Sequence, residues 1–273
     1  MAQITVHRLP FSIKAVRRPI VLIQALGALT FLALPWSIEH KARVILHGLC
    51  AQRPGHTYYF GDRPLPFDAR MTGIYLGFAA TMAVLLWTGS HRWCRSPSPA
   101  RIAVLLTLGG VMAIDGFNSL LKDLEAPYPY EPRNWLRLIT GAAAGLVLAV
   151  SLCFLLSITL WHVVDTRKQT LESWSTPLRA AVIMAPLLLM AMSGLDALYI
   201  PTVLLLIVSA LAALTALSLV IIVIFRRLEY RFATARQLEP VLAPAMLLAV
   251  AIMLALSIGR KVLERWTGPM DMT

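Results

Sequence analysis

LRLITGAAAGLVLAVSLCFLLSITLW, residues 136–161, is the stretch that decides the fold class. It carries one charged residue, Arg137, beside its start, and then runs apolar for longer than the roughly 20 residues a helix needs to cross a hydrocarbon layer of about 30 Å. Outward from it, six more runs have the same character, giving seven expected spans at about 20–36, 71–90, 101–121, 136–161, 178–196, 201–225 and 241–258. The whole chain of 273 residues is 58% hydrophobic and 14% charged, against about 45–50% and 25% in soluble domains. These values exclude an ordinary water-soluble enzyme, a disordered chain and a disulfide scaffold. The expected fold is all-α, a polytopic transmembrane bundle.

The net charge of +11 falls in the gaps between the apolar runs. Basic residues there set topology and contact headgroups, and no basic–aromatic stripe points to nucleic acid. Membrane lipids, and other membrane proteins, are the expected partners. The first run follows Lys14, Arg17, Arg18 and Pro19 and exits through Leu34-Pro35-Trp36-Ser37 without a small-residue cleavage site, so it reads as an uncleaved anchor. Summing Lys and Arg by side gives a thin margin, and the last hairpins decide it. The fifth loop has neither residue, whereas the sixth has Arg226, Arg227, Arg231 and Arg236. The N-terminus is expected in the cytoplasm and the C-terminus outside. Two units are expected, 1–165 and 166–273, in one continuous membrane domain.

The only long connection is 37–70. Ser37 can cap a short helix in which Ile38, Ala42, Ile45 and Leu49 share a face, an amphipathic pattern suited to the membrane surface. Beyond Pro54 come Tyr58, Tyr59 and Phe60, then Gly61, Pro64 and Pro66, which forbid a long helix. Asp165, close after the fourth span, reads as a helix terminus.

Polar residues gather at the ends of four spans. Asp115, Asn118, Ser119 and Lys122 share one helical face, as do Asn134, Arg137 and Gly141; Arg70, Gly73 and Gly77 align on the second span, and Ser193 and Asp196 end the fifth. Span parity puts all four ends, and loop 37–70, on one side. Asp115 lies well inside its span, where an ionised carboxylate costs about 2.5–3.5 kcal/mol on insertion scales. It is therefore expected to pair with Arg137 or Arg70, or to face a wet cavity; the plainer alternative is a buried structural ion pair that fixes helix register. A pocket lined by Arg70, Thr72, Asp115, Asn118, Asn134, Arg137 and Thr140 follows, lidded by Gln52, Arg53, Tyr58 and Tyr59. His47 and Cys50, with His56 or Asp68, form a weak metal-ligand pattern of two assured ligands without a third. No cofactor is expected. No nucleophile elbow, zinc-protease helix, phosphate loop or dinucleotide fingerprint is present.

Residues 47–77, HGLCAQRPGHTYYFGDRPLPFDARMTGIYLG, carry a family resemblance. With Asp115-Gly116-Phe117-Asn118 and the stretch Asn134 to Gly141, the chain over about 43–165 resembles the uncharacterised prokaryotic membrane-protein family known as domain of unknown function 2085. That resemblance implies a prokaryotic plasma membrane and brings no established activity. Where the family often has Cys-His this chain has Cys50-Ala51, and where it often has Cys-x-x-Cys this chain has Asp68 and Met71. The cysteines that imply thiol or metal chemistry in the family are thereby mostly replaced here. Retained are Gln52, Arg53, Gly61, Pro66, Arg70, Thr72, Gly73, Tyr75, Gly77, Asp115, Arg137 and Gly141.

Three functions stay open at this point. The pocket binds or transports a small anion or lipid headgroup, held by Arg70 and Arg137. Alternatively, Gly73, Gly77, Gly109, Gly110 and the alanine-rich fourth span pack against partners in a larger complex. Last is an enzyme acting on a lipid or quinone with Asp115 as general acid or base.

Overall fold

The computed structural model describes residues 33–162 and 164–267, with Leu22, Gln24, Ala25 and Leu29 before them. Most of the expected first span lies outside the described residues. The other six are present as helices long and apolar enough to cross a membrane. The chain is a multi-pass, all-α membrane protein.

The first long loop opens with α1 (Ile38–Leu46), capped by the Ser37 hydroxyl, which accepts from the His40 N–H at 3.1 Å. Its buried face is centred on Ala42 and Leu46, with Ile45 and Leu49 partly covered, and Ile38 is 45% exposed. The next segment is a hairpin, which the hydrophobic pattern did not reveal. Strands β1 (Thr57–Phe60) and β2 (Arg63–Asp68) pair antiparallel, with Phe60 opposite Arg63. Gly61 takes φ +59 at the turn, a conformation glycine adopts at little cost. A two-stranded ribbon tolerates Pro64 and Pro66, because each strand has a free edge. Phe60, Leu65 and Phe67 are buried; Phe67 stacks on Tyr75 at 4.8 Å and Phe60 meets Tyr199 edge-on at 5.8 Å.

Asp68 ends the hairpin and caps α2 (Ala69–Trp87), accepting from the Met71 N–H at 2.7 Å. The remaining long helices are α3 (Pro99–Asp123), α4 (Asn134–Leu160), α5 (Ser175–Met192), α6 (Asp196–Phe225) and α7 (Ala235–Thr267). Helices α2 and α4 form the closest pair. A Cβ on Gly73 or Gly77 would lie 2.1 or 2.3 Å from the carbonyl oxygens of Leu138 and Ala142. One on Gly141 or Gly145 would lie 2.2 Å from those of Arg70 and Ile74. Two small-xxx-small motifs thus face each other, so the backbones touch. The glycines expected to meet outside partners, Gly73 and Gly77 with the small residues of the fourth span, serve this internal contact instead. Among the described residues, Gly109 and Gly110 on α3 have nothing within 4 Å. Helix α3 packs chiefly on α4 and leaves most of its large apolar residues exposed.

The buried core runs from α1 and the hairpin through α2 and α4 to α6 and α7. Alternation of the helices puts the starts of α2, α4 and α6 and the ends of α3, α5 and α7 at the hairpin end. There α7 grips the first loop. Arg260 donates to the carbonyls of His47 at 3.1 Å, Ala51 at 3.0 Å and Cys50. The Gly48 N–H donates to Ser257 Oγ at 3.0 Å. At the opposite end β3 (Trp93–Arg95) pairs parallel with β4 (Asp165–Gln169). Asp165 therefore begins a strand and is not a helix terminus. Helix α4 has ended at Leu160, and Trp161 is already extended and bridged to Phe232.

Candidate functional site

Arg70, in the first turn of α2, points across to α3. Its Nη2 donates to Asp115 Oδ2 at 2.7 Å, to Ser119 Oγ at 2.9 Å and to the Asp115 carbonyl at 3.2 Å. Asp115 is 1% exposed. It also accepts from the Tyr130 hydroxyl at 3.0 Å and from Thr140 Oγ1 at 3.2 Å. The Arg70 guanidinium and the Tyr130 hydroxyl engage its two oxygens, and the Thr140 hydroxyl shares its one proton between Asp115 Oδ2 and the Leu136 and Arg137 carbonyls. Tyr130 is pushed up from the usual phenol range, first by burial and then by this hydrogen bond to Asp115.

Arg137, 4% exposed, enters from α4. Its Nη1 donates to Asn134 Oδ1 at 3.0 Å and its Nε reaches Ser119 Oγ at 3.4 Å. Its Nη2 lies 3.3 Å from His56 Nε2. No carboxylate lies within ion-pair distance of it among the described residues. His56 sits in the one-turn segment Pro54–His56 that roofs this corner, and its Nε2 lies 3.7 Å from Asp123 Oδ1. Burial, and then the neighbouring Arg137, hold the His56 imidazole below its ordinary value of 6.5. Arg53 pairs with the other oxygen of Asp123. Among the described residues, the buried Nε atoms of Arg53 and Arg70 meet no acceptor.

Among the described residues the cluster therefore leaves two guanidinium donors without an acceptor. Three guanidiniums (Arg53, Arg70, Arg137) meet two carboxylates (Asp115, Asp123) through direct or His56-bridged contacts, and Asp68 at the start of α2 adds its charge from farther off. A buried cation without a counter-charge is costly, and an arginine set with free donors is suited to a carboxylate, phosphate or sulfate oxygen.

Of the expected lining, Arg70, Asp115, Asn134, Arg137 and Thr140 meet here. Asn118 is adjacent but is engaged with the Tyr130 backbone at 2.8 and 3.4 Å. Thr72 is buried elsewhere, with its hydroxyl 3.5 Å from the Phe67 carbonyl, because two residues along a helix turn a side chain about 200° away from Arg70. Of the expected lid, Arg53 belongs to the cluster. Gln52 ties the hairpin to α1, donating to the Arg43 and Pro66 carbonyls at 3.2 and 3.0 Å. The Tyr58 hydroxyl is buried without a partner, and Tyr59 is 43% exposed.

The weak metal pattern is dispersed. His47 faces Glu264 at 3.1 Å, and Cys50 Sγ accepts from the Asp68 N–H at 3.2 Å. Among the described residues no three His, Cys, Asp or Glu side chains converge.

Asp123 and Tyr130 are the members that sequence reasoning missed. Asp123 lies eight residues after Asp115, close to the same helical face, so its signal was present. Tyr130 comes from the connection between α3 and α4, where no periodicity predicts direction.

A family model described as "Predicted membrane protein (DUF2085)" matches residues 50–151, the stretch that holds the hairpin, α2, α3 and most of α4. Every member of the cluster lies within it. No curated protein and no solved structure matches the chain.

Proposed function

We propose, from the family stretch and the cluster inside it, that this multi-pass protein of a prokaryotic plasma membrane binds a small oxyanion or an anionic lipid headgroup beneath the hairpin. Arg137 is the anchor. The carrying observation is its burial without a carboxylate partner, beside two further guanidiniums whose Nε atoms lack acceptors. Asp115 fixes Arg70, Asn134 and Ser119 orient Arg137, and the Pro54–His56 turn has to shift for the ligand to enter. Transport fits better than chemistry, since the buried Asp115 is occupied by Arg70 and, among the described residues, no nucleophile–base pair stands beside it. The hairpin end faces outward, with the arginine-rich connection between α6 and α7 in the cytoplasm.

Thermal unfolding of the detergent-solubilised protein tests the reading. Sulfate, or micelles doped with phosphatidylglycerol, should raise the midpoint of the wild type and leave Arg137→Gln unmoved. At one hundred times Kd the stabilisation is about 2.7 kcal/mol. No shift with either probe would remove the proposal.

A second reading, a subunit of a larger membrane complex, is favoured by α3, whose Gly109 and Gly110 meet nothing among the described residues while the other expected packing glycines are engaged. A stoichiometric partner retained in mild detergent would support it; a lone stable protein supports the binding site.

A further inference from the structure

Resting on the anion-binding reading, we propose that His56 makes that binding proton-coupled. The anion displaces the His56 ring from Arg137, the ring takes up one proton, and imidazolium and guanidinium then hold the anion together.

The geometry carries this. His56 Nε2 is 3.3 Å from Arg137 Nη2, so in the closed state its lone pair is the acceptor for a buried cation. A protonated ring has no lone pair at that nitrogen and would set two cations in contact. The charged groups facing the ring come from every neighbouring element. Arg137 belongs to α4, Asp123 to α3, Arg53 to the ring's own segment, and Asp68 to the N-terminus of α2. Burial and Arg137 act most strongly and favour the neutral ring, as closure requires. An anion reverses the balance, because it draws the Arg137 donors to itself and adds a negative charge beside the ring. By linkage, a ligand that raises the proton affinity of His56 must bind more tightly as pH falls.

The roof is built to move. Among the described residues, Gly55 has nothing within 4 Å of a Cβ position, and Gln52, just before the turn, takes φ 53, a strained value for a residue with a side chain. The turn is held down by the Arg53–Asp123 pair, by the His56 contacts to Arg137 and Asp123, and by a long contact of 3.4 Å from Asn134 Nδ2 to the Gly55 carbonyl. Those contacts are polar and local, and an oxyanion can replace them.

Sulfate is the probe, because it does not titrate between pH 5.5 and 8. Calorimetry on the full chain in detergent, in two buffers of different ionisation heat, measures affinity and proton uptake together. Wild-type protein should bind sulfate more tightly as pH falls across that range, by at most roughly tenfold per pH unit, with about one proton taken up. His56→Gln should bind sulfate with no proton uptake and a flat pH profile. Arg137→Gln should not bind, and a single cooperative melting transition without sulfate would show that it is folded. If wild type binds sulfate with no proton uptake while Arg137→Gln does not, the coupling is overturned and the site survives. If wild type binds neither sulfate nor phosphatidylglycerol at any pH, site and coupling fall together. Repeating the titration in nanodiscs separates the sources. Suppression of sulfate binding by phosphatidylglycerol, relative to phosphatidylcholine alone, identifies a headgroup phosphate; equal binding in both identifies a free anion.

Discussion

At the scale of single residues, the cluster is a problem of charge compensation. Asp115→Asn removes the carboxylate that Arg70 faces at 2.7 Å and leaves a largely buried guanidinium unpaired. Breaking one side of a buried pair costs about 3–5 kcal/mol, whereas replacing both sides with apolar groups of similar volume is often near neutral. Denaturation should therefore find Asp115→Asn strongly destabilised and the double variant Arg70→Met, Asp115→Leu much closer to wild type. Equal losses in both would show that the pair adds net stability. Cys50 gives a second expectation. Burial, and then the Asp68 carboxylate, push its thiol up to about 12. Only the thiolate attacks an alkylating reagent, so at pH 8 the native protein should show maleimide modification at Cys50 only after unfolding. Rapid labelling of native protein at this position would contradict the burial.

At the scale of elements, the α2–α4 contact aligns the arginines. Arg70 and Arg137 are brought near Asp115 because glycines let these two helices approach backbone to backbone. At Gly141 a methyl group would lie 2.2 Å from the Arg70 carbonyl, and a helix backbone cannot give way as a flexible side chain can. Overpacking of this kind costs about 1–3 kcal/mol. Gly141→Ala should lower the melting temperature and weaken anion binding as well, since it displaces the turn that carries Arg70. Gly109→Ala, on open α3 surface, is the control and should change neither. The glycine spacing was readable beforehand. Which helix it faced was not, because a small-xxx-small motif specifies a close approach and leaves the partner open. The hairpin was hidden for a different reason: Gly61, Pro64 and Pro66 announce a break in helix, and only pairing with a neighbouring strand turns that break into a ribbon.

At the scale of the whole molecule, the six described crossings put the hairpin, the cluster and the Arg260 grip at one end. A phosphatase domain fused after Thr273 should be active only if that end faces outward, as proposed, and a fluorescent protein that fails to mature outside the cytoplasm should then stay dark. The opposite pattern would invert the orientation and place the anion site in the cytoplasm.

Composition and run length alone determined that this chain is a helical membrane protein, because an apolar run of sufficient length has no stable alternative to crossing the bilayer as a helix. Parity along the chain then determined which polar helix ends share a side. Only the tertiary structure decided which of them touch. Direction around a helix axis and the reach of a loop depend on contacts between segments distant in sequence. That is why Thr72 turned away from the cluster, why Asp123, Tyr130 and His56 joined it, and why Arg137 was left without a carboxylate.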